Sequence, residues 1–166
     1  MSKLVVFAIA VMALDVSDLL AQAPTPTAQA PATAGPSGAS YDETLARSVG
    51  ADDYGMRNYV LVILKTGPTK VPAGAERDEM FRGHQANIKR LADAGKLALA
   101  GPFGGEETWR GLFVLAVPEI EDAKSLVATD PVIAKGEMIA EYHKFYGSAA
   151  LMLVPGGHAK VAKKSF

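Results

Sequence analysis

Two short stretches of this sequence are apolar at every position, and they restrict the fold more than any other feature. They are "YVLVIL" at 59–64 and "LFVLAV" at 112–117. A strand with one face in water alternates apolar and polar residues, whereas a strand buried on both faces is apolar throughout. The sequence therefore predicts a sheet in which these two strands are covered on both faces.

The segments around these stretches supply the remaining elements. β-branched runs, apolar residues at helical spacing and turn residues between them define the boundaries. In chain order, the predicted elements are strand 58–65, helix 76–94, strand 96–101, strand 111–117, helix 118–129 and strand 137–147. The order β-α-β-β-α-β predicts an α+β ferredoxin-like fold, in which a four-stranded antiparallel sheet carries two helices on one face.

Residues with special backbone behaviour mark the ends of both helices. Gly95 follows the first helix, where a glycine commonly ends a helix. Pro118 begins the second helix, because the first helical turn tolerates proline. Asp130 precedes Pro131, and the residue before a proline disfavours helical backbone, so the second helix ends there.

The other face of the predicted sheet has no helix to cover it. A large exposed apolar patch is uncommon on a soluble monomer. We therefore predict that the chain forms a homodimer, packed sheet to sheet through this open face.

The first 55 residues differ in composition from those that follow. A lysine at position 3, an apolar run at 4–14 and "AQA" at 21–23 have the order of a secretory signal peptide. Residues 24–55 begin with a Pro/Ala/Thr-rich stretch that cannot bury enough surface to offset its ordering entropy, and one short helical turn is predicted at 42–48. We predict a signal peptide at 1–23, cleaved after Ala23, and a flexible spacer at 24–55. The alternative is an uncleaved membrane-associated helix.

These assignments leave a domain at 56–155 and a basic C-terminal tail at 156–166. The cleaved chain has no membrane span and is predicted to be periplasmic or secreted. The full chain has 17 Lys and Arg, which nearly balance its 18 Asp and Glu, so we predict no nucleic-acid partner. The absence of cysteine excludes a disulfide or a thiolate nucleophile, and three scattered histidines give no metal site. No cofactor motif is present, so no cofactor is predicted.

One ionisable side chain lies on the apolar face of the first helix. The residues of that face step by three and four, and they are Phe81, His84, Ile88 and Leu91. In a ferredoxin-like fold the two helices lie side by side, which brings His84 and Asp130 towards one edge of the sheet. An imidazole beside a carboxylate gains basicity and a fixed tautomer, as a general base needs.

Each of these residues, and others singled out below, also has a possible structural role that involves no catalysis or binding. His84 as a buried histidine would bond to a backbone carbonyl, and Asp130 would be an ordinary turn residue before proline. Gly101-Pro102 would shape a hairpin, and Trp109 would belong to the core. The residue pattern leaves these structural roles and a functional site open.

Three segments together resemble the YciI-like (YCII-related) family of small bacterial domains. They are "FRGHQANIKRLADAGKLALAGPF" at 81–103, "GLFVLAV" at 111–117 and "ATDPVIAKGEMIAEYHKF" at 128–145. The resemblance covers roughly 57–155 and implies a ferredoxin-like domain in a dimeric α/β barrel. The family's proposed histidine–aspartate dyad carries over to His84 and Asp130. The resemblance implies a site rather than a reaction, because the family's activities are mostly unassigned.

Two functional hypotheses follow. In the first, the chain is a small-molecule enzyme in which His84 is a general acid or base and Asp130 orients it. The residues predicted to bind the substrate are Pro102, Phe103, Trp109, Arg110 and Tyr142. In the second, the domain is a non-catalytic ligand-binding or interaction module of the cell envelope, since no nucleophile or metal site is evident. A stable domain with a vestigial site is the remaining alternative.

Overall fold

A computed structural model describes residues 40–105 and 108–164. The predicted signal peptide and the first half of the predicted spacer, 24–39, lie outside the described residues. From Tyr41 onward the chain belongs to one of two units into which it divides. Within the described residues, no helix combines the length and the apolarity that a membrane span requires.

The elements agree with the predicted order and add short helices to it. In chain order they are α1 (Glu43–Val49), β1 (Met56–Thr66), α2 (Ala75–Asp93), β2 (Leu97–Pro102), β3 (Trp109–Leu115), α3 (Ile120–Val127), α4 (Pro131–Ala134), β4 (Met138–Ser148), a 3₁₀ helix (Ala149–Leu153) and α5 (Val154–Val161). The short α1 corresponds to the predicted helical turn.

The four strands form one antiparallel sheet in the order β2-β3-β1-β4. With α2 and α3 packed on one face, this is the ferredoxin-like α+β arrangement, and the predicted fold is confirmed. The doubly apolar segments lie in β1 and β3, which are the two central strands. Central strands have neighbours on both edges and cover on both faces, which explains their continuous apolar character.

The main core lies between the sheet and the helices. Side chains of β1 alternate between the two faces, so Val60, Val62 and Leu64 point towards the helices and are buried. Their partners in this core include Met80, Leu91, Phe113, Leu115, Ala123 and Val127. The inward face of α2 is therefore part of the core over most of its length.

The opposite face of the sheet is partly covered by the chain itself. Tyr59 and Val114 are buried there, and Leu151 and Met152 of the 3₁₀ helix pack against them. The Tyr59 hydroxyl donates a hydrogen bond to the carbonyl of Ser148, at 3.0 Å, which holds this segment to β1. The prediction that a partner subunit covers this whole face is therefore wrong, because the chain itself covers part of it.

The predicted stop of the first helix is also confirmed. Gly95 adopts a φ of 65° just after α2. Its N–H donates to Ala92 and the N–H of Lys96 donates to Leu91, both at 2.9 Å. These two bonds form a Schellman motif, which turns the chain from α2 into β2.

Candidate functional site

His84 and Asp130 are in direct contact between α2 and the turn before α4. His84 Nδ1 lies 2.8 Å from Asp130 Oδ2. The Asp130 side chain is fully buried, and 10% of the His84 side chain is accessible. The predicted juxtaposition of these two residues is therefore confirmed. The alternative in which a backbone carbonyl satisfies the imidazole is wrong.

The local sequence places Asp130 by making it the N-cap of α4. Its Oδ1 accepts a hydrogen bond from the N–H of Val132, at 3.1 Å, and Pro131 occupies the first turn of α4. Both features are typical helix starts. The turn role considered for Asp130 is thus real, but it uses only one carboxylate oxygen. The other oxygen, Oδ2, faces α2.

A glycine lets α4 approach α2 closely enough for this contact. A Cβ atom on Gly83 would lie 2.9 Å from Pro131 Cγ, closer than carbon atoms pack. Glycine inside a helix costs about 1 kcal/mol relative to alanine. Gly83 therefore has a packing role, because it allows Pro131, and with it Asp130, to lie directly against α2.

Three polar residues that the sequence analysis missed complete the surroundings of the carboxylate. Asn87 Nδ2 donates to Asp130 Oδ2 at 3.3 Å. Arg90 Nη2 donates to Asn87 Oδ1 at 2.6 Å and to Thr129 Oγ1 at 2.9 Å, which fixes the amide. Asn87 follows His84 by three positions, so its place on the same helix face was a signal in the sequence.

Two aromatic rings set the orientation of the imidazole. The Phe113 ring stacks on it with centroids 6.1 Å apart, and the Phe81 ring meets it edge-on at 6.3 Å. Since a carboxylate only accepts hydrogen bonds, Nδ1 of the neutral ring donates to Asp130. Nε2 then carries the lone pair, and no described residue bonds to it. Nε2 of His84 can therefore accept a proton, and the imidazolium that results is paired with the Asp130 carboxylate.

Tyr142 lies on the same face of the sheet as Phe113, whose ring stacks on the imidazole of His84. Val62 pairs with Phe113 on one side and with Tyr142 on the other, so the three residues form a row across the strands. Two strand spacings separate Phe113 from Tyr142, which is about 10 Å. Burial raises the pKa of the Tyr142 hydroxyl, so this residue is a neutral hydrogen-bonding group at the sheet surface.

The other four residues predicted to bind substrate lie at the end of the β2–β3 hairpin, a position consistent with the hairpin role considered for Gly101-Pro102. Pro102 pairs with Gly111. The rings of Phe103 and Trp109 are 5.5 Å apart, and Trp109 is about half exposed, so the core role considered for it is wrong. Arg110 lines a separate pocket. The two glutamates of this loop, at 106–107, lie outside the described residues.

Among the described residues, no group of three or more His, Asp and Glu side chains is arranged to hold a metal ion. The site is therefore best described by its buried imidazole–carboxylate pair and the aromatic rings around it.

Comparisons with known proteins add little. No protein-family model matches the chain. No curated protein matches it. Among solved structures, the chain is similar to the 5-chloro-2-hydroxyhydroquinone dehydrochlorinase TftG of Burkholderia phenoliruptrix AC1100, in complex with 2,5-dihydroxybenzoquinone. The identity is 18%, the TM-score is 0.36, and the match covers 49% of this chain and 90% of that chain. Because the TM-score is low, the ferredoxin-like fold is assigned from the strand order and the connections described above, and not from this comparison.

Proposed function

We propose that this chain is an exported YciI-like domain protein that uses His84 and Asp130 for general acid–base chemistry on a small molecule. The observation that carries the proposal is the buried 2.8 Å contact between His84 Nδ1 and Asp130 Oδ2. Its support comes also from the sequence resemblance, which assigns a functional dyad to the same two residues.

In this proposal His84 Nε2 takes a proton from the substrate. The positive charge that develops on the ring is stabilised by the Asp130 carboxylate, which keeps its hydrogen bond to Nδ1. The same ring then returns the proton to the product or to the leaving group. A positioned histidine contributes about 10²–10⁴-fold to such a reaction, which suits an elimination, an isomerisation or the hydrolysis of an activated substrate.

The aromatic environment favours an apolar, planar substrate. Phe81 and Phe113 flank the imidazole, and Tyr142 lies further along the same sheet face. Aromatic walls with a few polar groups are typical of small-molecule sites. The reactive groups of this site are the His84 imidazole and the Asp130 carboxylate, so the chemistry proposed for it is proton transfer.

A second candidate function is non-catalytic ligand binding. The observation that favours it is the complete burial of Asp130, which also caps α4 through Val132. In that case the pair would chiefly join α2 to α4, and a ligand would contact only the accessible edge of His84.

An activity screen with matched histidine variants separates the two functions. The full chain is assayed against a panel of activated esters and of ring compounds with acidic C–H bonds. His84→Gln is expected to lower turnover by at least about 10²-fold. His143→Gln, an exposed histidine bonded to Glu141, is the control and keeps the activity. Equal turnover in wild type and His84→Gln contradicts the enzyme proposal.

Export is tested independently of activity. We expect the exported protein to begin at Pro24, after loss of residues 1–23. Intact-mass measurement of the protein recovered outside the cytoplasm checks this. A recovered chain that still begins at Met1 contradicts the cleavage.

A further inference from the structure

A pocket near the start of α2 has neither His84 nor Asp130 in its lining. It has a volume of about 400 Å³ and forms where the loop after β1 meets the second residue of β3 and the turn before β4. Its charged lining residues are Lys70, Arg77, Arg110 and Glu137. The described part of the lining thus holds three cationic side chains and one carboxylate.

Arg77 is held rigidly at one wall of this pocket. Its Nη2 lies 2.7 Å from Glu137 Oε1, and its Nη1 donates to the carbonyl of Val71 at 2.8 Å. The guanidinium also lies over the ring of Phe81, 5.0 Å from the centroid. An arginine fixed in this way loses little conformational entropy when it binds a ligand.

The Glu137 carboxylate is already committed to protein partners. Its Oε1 pairs with Arg77, and its Oε2 accepts a hydrogen bond from the N–H of Val71 at 2.7 Å. Burial alone would raise the pKa of Glu137, but the bonds from Arg77 and Val71 and the charges of Arg77 and Arg110 outweigh it and hold the pKa below its ordinary value. Of the described residues that line the pocket, Glu137 therefore neutralises one cation and leaves two uncompensated.

A β-bulge places Arg110 in the pocket. Leu64 pairs with Gly111 and Lys65 pairs with Trp109, so Arg110 is an extra residue of β3. A bulge re-aims the side chain of the extra residue, and bulges are common beside functional sites. Among the residues described, neither the guanidinium of Arg110 nor the ammonium of Lys70 has a hydrogen-bond or ion-pair partner.

We infer that this pocket binds an oxyanion group, a carboxylate or a phosphate. The planar guanidinium forms paired hydrogen bonds with such groups, and lysine adds a mobile positive charge. The volume of the pocket is in the range found for small-ligand sites. Arg77 precedes His84 by seven residues on α2, which is about 10 Å along the helix axis, so the site is distinct from the acid–base pair.

Calorimetric titration of the full chain at constant ionic strength tests the inference. The probes are inorganic phosphate and succinate, in separate titrations. We expect saturable binding of at least one probe, and Arg110→Gln is expected to weaken it about tenfold or more, as loss of a charge-assisted hydrogen bond does. Arg82→Gln is the control with the same charge change, since Arg82 is exposed on α2 and paired with Glu79.

The outcomes are distinct. Binding of phosphate alone assigns a phosphate group, and binding of succinate alone assigns a carboxylate. The absence of saturable binding by both probes overturns the inference, as does an equal loss in Arg82→Gln and Arg110→Gln. Should Arg110→Gln fail to fold, Lys70→Gln provides the same comparison, because Lys70 is exposed on the loop after β1.

Discussion

At the scale of single residues, Asp130 is the side chain on which most of the site depends. Oδ2 accepts from His84 and Asn87, while Oδ1 accepts from the N–H of Val132. A buried carboxylate is stable only when its oxygens are hydrogen-bonded. Each donor therefore stabilises both the fold and the position of the imidazole.

Asn87→Ala tests this network. The substitution removes one donor from Asp130 and leaves Arg90 without its amide partner, so we expect a loss of about 1–3 kcal/mol in the free energy of unfolding. Urea denaturation measures the loss. Asn58→Ala, at an exposed position of β1, is the control and is expected to change stability by less than about 0.5 kcal/mol. Similar values for both variants would show that the amide has no structural role.

Glu137 gives the stability of the domain a pH dependence of known sign. Its pKa in the folded chain is below the ordinary value of 4.5. The ionised Glu137 carboxylate therefore makes its full contribution to the free energy of unfolding above pH 4.5. That contribution is lost as the pH falls through the folded-state pKa of Glu137. Glu137→Gln is expected to cost about 1–3 kcal/mol at neutral pH, with the difference from wild type shrinking below pH 4.5.

Denaturation curves at several pH values measure this difference. Glu121→Gln is the control, because Glu121 is exposed and pairs only with Lys124 on the surface. A difference between Glu137→Gln and wild type that is constant with pH contradicts the assignment to the Glu137 carboxylate.

At the scale of elements, the packing of α4 on α2 depends on a missing side chain. Gly83→Val adds atoms where a Cβ is already 2.9 Å from Pro131 Cγ, so we expect a destabilisation of about 1–3 kcal/mol. Ala86→Val, on the exposed face of the same helix, controls for the lower helix propensity of valine. Thermal or urea denaturation compares the two, and equal losses would contradict a tight contact at Gly83.

The elements also show what the sequence could predict and what it could not. The bounds of α2 and its stop at Gly95 follow from helical spacing and glycine chemistry, which act locally. The cover of the outer sheet face by residues 149–153 was missed, because "AALML" has no periodicity that distinguishes a packed 3₁₀ helix from a tail. The bulge at Arg110 depends on the pairing register of β1 and β3, which is a non-local property.

The candidate site likewise has features that the sequence could predict and features that it could not. Helical spacing and the turn before proline predicted where His84 and Asp130 lie. The spacing of three from His84 places Asn87 on the same helix face, but it does not show that the amide bonds to Asp130, because an amide on a helix is usually solvated. The depth of Asp130 likewise results from the close approach of α4 to α2, which only the folded chain shows.

At the scale of the whole molecule, the question is what covers the rest of the outer sheet face. Leu99, Ile139 and Phe145 remain at least a third exposed on that face, beside the patch that the 3₁₀ helix covers. Exposed apolar side chains grouped on one sheet face are typical of an interface. A second copy of the chain on this face is the arrangement that the sequence resemblance implies.

Phe145→Glu tests the homodimer. A glutamate at this position would lose its water in a sheet-to-sheet interface, so we expect the dimer dissociation constant to rise at least tenfold, or about 1.4 kcal/mol. Light scattering at micromolar concentration measures the mass of both proteins. Tyr54→Glu, an exposed aromatic residue outside the sheet, is the control and keeps the wild-type mass. A monomeric wild type contradicts the dimer, because the apolar side chains of Leu99, Ile139 and Phe145 would then be exposed to water in solution.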